Sequence, residues 1–133
     1  MNIIADTNIF LAVALNEPEK EPIIETTSEA LLIAPESLPF EIGNALSVMI
    51  KRRQITKHEA LAAENFTHGI QVRLVPVEIQ SCLQLAIKKN IYAYDAYFLR
   101  CAISLGCPLL TLDRRMRQVA EEMGIEVLDI VME

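Results

Sequence analysis

The sequence has no tryptophan, three cysteines, two histidines and four glycines in 133 residues, and each shortage removes a class of function. Cys82, Cys101 and Cys107 form no CxxC pair, and an odd number cannot all pair within the chain. With His58 and His68 isolated, no zinc-site spacing exists. A reducing compartment, the cytoplasm, is expected. Gly43, Gly69, Gly106 and Gly124 stand singly, which excludes a GxGxxG fingerprint and a phosphate-cradling P-loop, and with them the nucleotide cofactors. Long hydrophobic runs are missing too. The longest, residues 9–15, falls far short of the ~20 residues of a membrane span, and no basic segment with a cleavage site opens the chain. No membrane partner is expected. Positive charge is also scarce: 12 Lys+Arg against 18 Asp+Glu gives −6, so the basic footprint of a duplex-coating protein is absent. The imbalance is concentrated in residues 1–50, where Lys20 is the only base.

What the chain does have is apolar bulk. Hydrophobic residues reach 52%, and with glycine added the total exceeds the ~45–50% of an average soluble domain. Part of that surface is expected to lie under a partner or a second copy. Strand and helix signals alternate along one domain, 1–133. Strands are predicted at 2–5, 31–34, 72–75, 109–112 and 126–128. Helices are predicted at 9–15, 19–29 with Pro22 in its first turn, 37–53, from the Thr56-Lys57-His58-Glu59 capping box to Gly69, at 77–89, from Asp95 to Gly106, and from Asp113 to Gly124. Short apolar strands separated by helices indicate a parallel sheet covered on both faces, a three-layer α/β/α domain.

The chain contains only four aspartates: Asp6, Asp95, Asp113 and Asp129. Asp6, Asp95 and Asp113 stand where a helix is about to begin, and Asp6 and Asp113 also stand at the carboxyl end of a strand, the edge where open parallel sheets bind ligands. Each has a plain structural reading as a helix cap, worth about 1 kcal/mol. Glu41 does not fit that reading. It lies within a predicted helix on or beside an apolar face with Leu38, Ala45 and Val48. Carboxylates are rarely placed there without a partner. Asn44, one turn on, is available to orient it.

If Asp6, Glu41, Asp95 and Asp113 converge, two unit charges about 4 Å apart repel by roughly 4 kcal/mol at an effective dielectric near 20. Such a cluster must protonate, attract basic side chains or bind a metal. An all-oxygen donor set selects Mg²⁺ or Mn²⁺ over Zn²⁺. Carboxylate-held Mg²⁺ keeps open water positions used in phosphodiester hydrolysis.

These residues carry a family resemblance. Asp6-Thr7-Asn8-Ile9-Phe10 resembles the DTNxx opening of PIN-domain ribonucleases, and Glu41-Ile42-Gly43-Asn44-Ala45-Leu46 is similar to their ExxNxL helix. Tyr94-Asp95-Ala96-Tyr97 resembles their YDAxY segment, and the stretch from Leu105 to Asp113 their LGxPLxTxD. The four motifs occur in the family's order along the whole chain. Their style most resembles VapC-type toxins of toxin–antitoxin pairs. The resemblance implies a sheet of order 3-2-1-4-5, a Mg²⁺- or Mn²⁺-dependent endoribonuclease, a homodimer, and inhibition by a small antitoxin. It also implies Asp6, Glu41, Asp95 and Asp113 as catalytic metal-binding acids, with Thr7, Asn8, Asn44 and Thr111 supporting them. Some members carry a further acid three residues past the last aspartate. That position is Met116 here, which leaves four acids.

For an RNA substrate, Arg114 and Arg115 beside Asp113 are candidate phosphate contacts. Lys51, Arg52, Arg53 and Lys57 form a second basic group, read either as an RNA contact or as cations at a helix end. Tyr92, Tyr94 and Tyr97 are candidates for base stacking, with core packing the expectation for most of them. Three other readings stand beside this one: a nuclease of the same kind outside a toxin–antitoxin pair, a PIN-like binding or scaffold protein without turnover, and a receiver-like phosphoacceptor domain, which would also carry Asp at strand ends. The net charge gains a meaning here. Setting aside the four carboxylates leaves 12 bases against 14 acids, a nearly balanced surface.

Overall fold

The structure, a computed structural model, describes residues 1–132. Its centre is a parallel sheet. Strand β1 (Asn2–Ala5) pairs with β2 (Leu31–Pro35) on one side and with β4 (Leu109–Leu110) on the other, and β2 pairs with β3 (Val72–Val75). The order is β3-β2-β1-β4. Ile3, Ile4 and Ala5 are fully buried because β1 is covered on both faces, which is why its sequence runs apolar without alternation. A receiver-like sheet has the order 2-1-3-4-5, with β1 between β2 and β3. Here β4 occupies that place, and the phosphoacceptor reading is set aside.

The predicted fifth strand, 126–128, is reduced to one parallel bridge, Leu109 to Val127, flanked by hydrogen bonds from Leu109 N to Glu126 O and from Leu128 N to Leu109 O. It extends the order in the expected direction but is too short to be a strand. Strand β4 stops at Leu110 rather than 112, because the next backbone donor, Leu112 N, donates to the Asn8 side chain instead of to a carbonyl of β1.

Seven helices lie among the described residues: α1 (Thr7–Ala14), α2 (Lys20–Thr27), α3 (Leu38–Lys51), α4 (Lys57–Thr67), α5 (Ile79–Lys89), α6 (Ala93–Leu105) and α7 (Arg114–Glu122). Helices α1 to α4 pack among themselves, and α5 packs on α6, which also meets β1 and β2. Strand β3 shows that the two groups lie on opposite faces. Val72 and Leu74 border a hollow with Phe10, Leu38 and Ile42, whereas Arg73 and Val75 border one with Cys82 and Cys101. The arrangement is α/β/α, with one continuous buried core.

Local signals set most helix ends. Thr56 and Glu59 form the capping box, each side chain bonded to the other's backbone N–H. Gly106 closes α6 in the left-handed conformation, at φ 63°, which residues with a Cβ adopt at a cost. Gly69 follows α4 with no such conformation; His68 closes that helix. Helix α5 begins at Ile79, two residues later than predicted, because Glu78 caps it from outside by accepting from Ser81 N. No helix of the described residues is long and apolar enough to cross a membrane.

Candidate active site

The register of the central strands builds the site. Ala5 is paired with Leu110, so the next residues, Asp6 and Thr111, emerge side by side at the carboxyl edge of the sheet. Asp6 N donates to Leu110 O at 3.0 Å, and Thr111 Oγ1 donates to Asp6 Oδ2 at 2.7 Å. Both side chains are buried, the only polar ones so placed among the described residues. Asn8 ties the two strand ends together. Its Nδ2 lies 3.2 Å from Asp6 Oδ2 and 3.3 Å from Thr111 Oγ1, and its Oδ1 accepts from Leu112 N at 3.1 Å.

Asp6 and Asp113 are helix caps, as their plain structural reading holds, and that role uses one oxygen of each. Asp6 Oδ1 accepts from Thr7 N at 2.8 Å, and Asp113 Oδ1 accepts from Arg115 N and Met116 N. Asp113 Oδ2 accepts no hydrogen bond among the described residues. Asp95 is not a cap. Helix α6 starts at Ala93 with Tyr92 at its N-cap, which places Asp95 in the first turn, where its charge is favoured by the helix dipole. Its carboxylate has no hydrogen-bond donor among the described residues.

Glu41 also lies in a first turn, that of α3, and its partners are hydroxyls rather than a cation. Ser37 Oγ donates to Oε2 at 2.6 Å, and Thr7 Oγ1 donates to Oε1 at 3.3 Å. In sequence, Ser37 marks only a helix start. Its spacing four residues before Glu41 was the available signal.

The four carboxylates affect one another. Burial pushes Asp6 up to about 6, against its hydrogen bonds from Thr111 and Thr7, and the charges of Asp95 and Asp113 add to the rise. Burial likewise pushes Glu41 up to about 7, against the bond from Ser37, with Asp6 and Asp95 contributing. Asp95 is raised by burial and then by Asp113. None of the four is in an ion pair with a lysine or arginine among the described residues. The donors are all oxygen and unneutralised, the chemistry that suits a hard divalent cation. No group of three or more His, Cys, Asp or Glu side chains among the described residues is gathered closely enough to enclose an ion.

The sequence pattern of the PIN domain matches residues 3–122, nine-tenths of the chain. The chain belongs to the PIN-domain family. Among proteins similar to it, Ribonuclease VapC3 of Pyrobaculum aerophilum is 25% identical over 123 residues, covering 89% of this chain and 94% of that one. The crystal structure of PAE2754 from Pyrobaculum aerophilum superposes with a TM-score of 0.65 at 17% identity, over 93% of this chain and 90% of that chain. VapBC2 from Rickettsia felis, solved bound to a DNA fragment from its promoter, superposes with a TM-score of 0.66 at 12% identity, over 96% and 98%. These two structures establish the PIN fold.

The remaining predicted site residues of this PIN domain separate. Thr7, Asn8 and Thr111 bond to the carboxylates as described. Asn44 is exposed, and its side chain bonds to nothing among the described residues. Arg114 and Arg115 are exposed in the first turn of α7, and Arg115 Nη2 donates to Lys89 O at 3.4 Å, at the end of α5. Arg117 is structural, bonding Leu128 O and Asp129. Lys51, at the end of α3, is ten residues from Glu41, roughly 15 Å along the helix, and suits the dipole there, whereas Lys57 opens α4. The tyrosines correct the expectation of core packing. Tyr92 is 83% and Tyr94 52% exposed, and only Tyr97 is partly buried.

Proposed function

We propose that this PIN domain, one domain spanning 1–133, is a Mg²⁺- or Mn²⁺-dependent endoribonuclease acting in the cytoplasm as the toxin of a type II toxin–antitoxin pair. The observation that carries the reading is the set of four carboxylates neutralised by no cation, three of which, Asp6, Glu41 and Asp95, are raised by burial and by neighbouring acids. Asp6, Glu41, Asp95 and Asp113 would hold the ion. When bound, such an ion lowers the pKa of a coordinated water and stabilises charge on the phosphate oxygens. The chain's own groups do the positioning. Thr111 and Asn8 fix Asp6, Ser37 and Thr7 fix Glu41, and Asp95 and the free oxygen of Asp113 face no competing donor. Arg114 and Arg115 stand beside Asp113 to meet substrate phosphate.

Kinship with Ribonuclease VapC3 supports the ribonuclease reading, and the likeness to VapBC2 supports a small antitoxin partner. An antitoxin would offer the acidic cluster an Arg or Lys, the counter-charge that an ion otherwise supplies. A homodimer accounts for part of the apolar excess. Incubation of purified protein with labelled single-stranded RNA tests the activity: cleavage is expected with Mg²⁺ or Mn²⁺ and none with chelator. RNA left intact by metal-loaded protein at near-stoichiometric amounts, across structured and unstructured substrates, overturns the reading. A small adjoining frame encoding a DNA-binding protein is the expected genomic context; without one, the chain is a stand-alone nuclease.

A further inference from the structure

Beside the carboxylates lies an open hollow of about 450 Å³ between the start of α3, the β3–α5 connection and the start of α6. Two aromatic rings stand out of its walls. Phe40 is 77% exposed and Tyr94 52%, and Ile79, at the start of α5, is 64% exposed. Tyr97 meets the Tyr94 ring edge to face at 5.7 Å, which holds it against the wall. The hollow borders the acidic site directly. Ser37, in its wall, donates to Glu41, and Tyr94 precedes Asp95. No cation lines it and one acid, Glu36, does, so its chemistry suits a flat uncharged group and disfavours phosphate.

On the far side of Val77 and Tyr97, which line both, is a second hollow of about 460 Å³ with the opposite character. Arg73 on β3 and Arg100 on α6 open into it, with Ser81 and Ser104 between. Both arginines are exposed, and neither forms a salt bridge or hydrogen bond among the described residues. The one acid there, Glu78, accepts from Ser81 N as the cap of α5. Twenty-seven residues separate the two arginines in sequence, so only the packing of α6 on the sheet brings them together.

Acid cluster, aromatic hollow and arginine pair thus follow one another along a single face. An aromatic platform alternating with cations matches the chemistry of single-stranded nucleic acid, where bases stack and phosphates pair with arginine. Resting on the ribonuclease reading above, we propose that an unpaired base next to the cleaved bond stacks on Phe40 and Tyr94, and that the phosphates beyond it are held by Arg73 and Arg100. The track makes the substrate a single strand, because a paired base cannot turn its face into the hollow.

The test is fluorescence anisotropy of a labelled eight-nucleotide single-stranded RNA, in chelator so that nothing is cut, with thermal melts to verify that each exposed-residue variant folds. Phe40→Ala and Tyr94→Leu are expected to weaken binding by roughly fivefold or more, and Tyr94→Phe to retain it. Arg73→Ala and Arg100→Ala each lower the slope of log affinity against log salt by about 1. Arg52→Ala, a cation removed at the far end of α3, leaves the slope unchanged, and a duplex of the same sequence binds more weakly than the single strand. The proposal is overturned if the four variants bind as wild type does, or if Arg52→Ala has an equal effect. If wild type nevertheless cuts RNA with metal, the ribonuclease reading survives that failure. RNA neither bound nor cut by wild type overturns both. Phe40→Ala converting a dimer to monomers with RNA binding unchanged assigns the hollow to a second copy and also overturns the track.

Discussion

Thr111 Oγ1 donates to Asp6 Oδ2 at 2.7 Å, a bond between residues 105 apart in sequence that locks the ends of β1 and β4 together. The same hydroxyl oxygen accepts from Asp113 N at 3.1 Å, so one side chain positions two of the four acids. Replacing it removes both bonds at a buried position. Thr111→Val is expected to destabilise the protein by about 1–3 kcal/mol in urea unfolding and to lower nuclease activity. Thr111→Ser keeps the hydroxyl and is expected to recover most of the activity.

The Asp95 carboxylate is raised by burial and by Asp113 and has no hydrogen-bond donor among the described residues. Its charge therefore costs the metal-free protein more than it returns. Asp95→Asn is expected to raise the metal-free melting temperature while lowering RNA cleavage. A melting temperature that falls would show that the charge is compensated within the fold.

The same crowding sets a pH dependence. In the unfolded chain Asp6 and Glu41 release their protons near their ordinary values of 3.8 and 4.5; in the folded protein they hold them to about 6 and about 7. Between about pH 4 and pH 7 the folded state binds more protons, so stability falls as pH rises. For Asp6 alone the difference corresponds to roughly 3 kcal/mol. Metal-free protein is expected to melt higher at pH 5 than at pH 8 in a calorimetric series. Added Mg²⁺, which competes with those protons, is expected to raise the melting temperature more at pH 8 than at pH 5.

Ser37 Oγ, 2.6 Å from Glu41, favours the ionised carboxylate. Ser37→Ala is expected to push the Glu41 pKa higher and to move the acid limb of the pH–activity profile upward. Ser37→Thr, which retains a donor, restores the profile if the hydroxyl acts through Glu41. A Ser37→Ala profile that coincides with wild type contradicts that role.

Much of this was legible in the sequence, for identifiable reasons. Asp6 and Asp113 could be placed at a sheet edge because each ends an apolar run too short to be anything but a buried strand. Asp95 reads as a cap because aspartate caps so often; Tyr92 takes that position, three residues earlier, and the helix begins at Ala93. The fifth strand was overread because Glu126 to Leu128 is apolar enough to pair but forms only one bridge. Glu41's need for a partner was visible, yet one of its two hydroxyls, Thr7, comes from a different helix, and no local pattern announces that. The exposure of Tyr92 and Tyr94 was hidden for a related reason: an aromatic at helical spacing reads as core until its helix is seated on the sheet.

On this reading, Asp6, Glu41, Asp95 and Asp113 together would form a site for a hard divalent cation. Titration of Mn²⁺ into metal-free protein at pH 7.5, followed by the paramagnetic resonance of the free ion, tests it most directly. Wild type is expected to bind saturably, and binding is expected to weaken roughly tenfold or more in Asp95→Asn and in Asp113→Asn. Wild type that leaves Mn²⁺ free, or variants that bind it as wild type does, would show that these four acids hold no such ion.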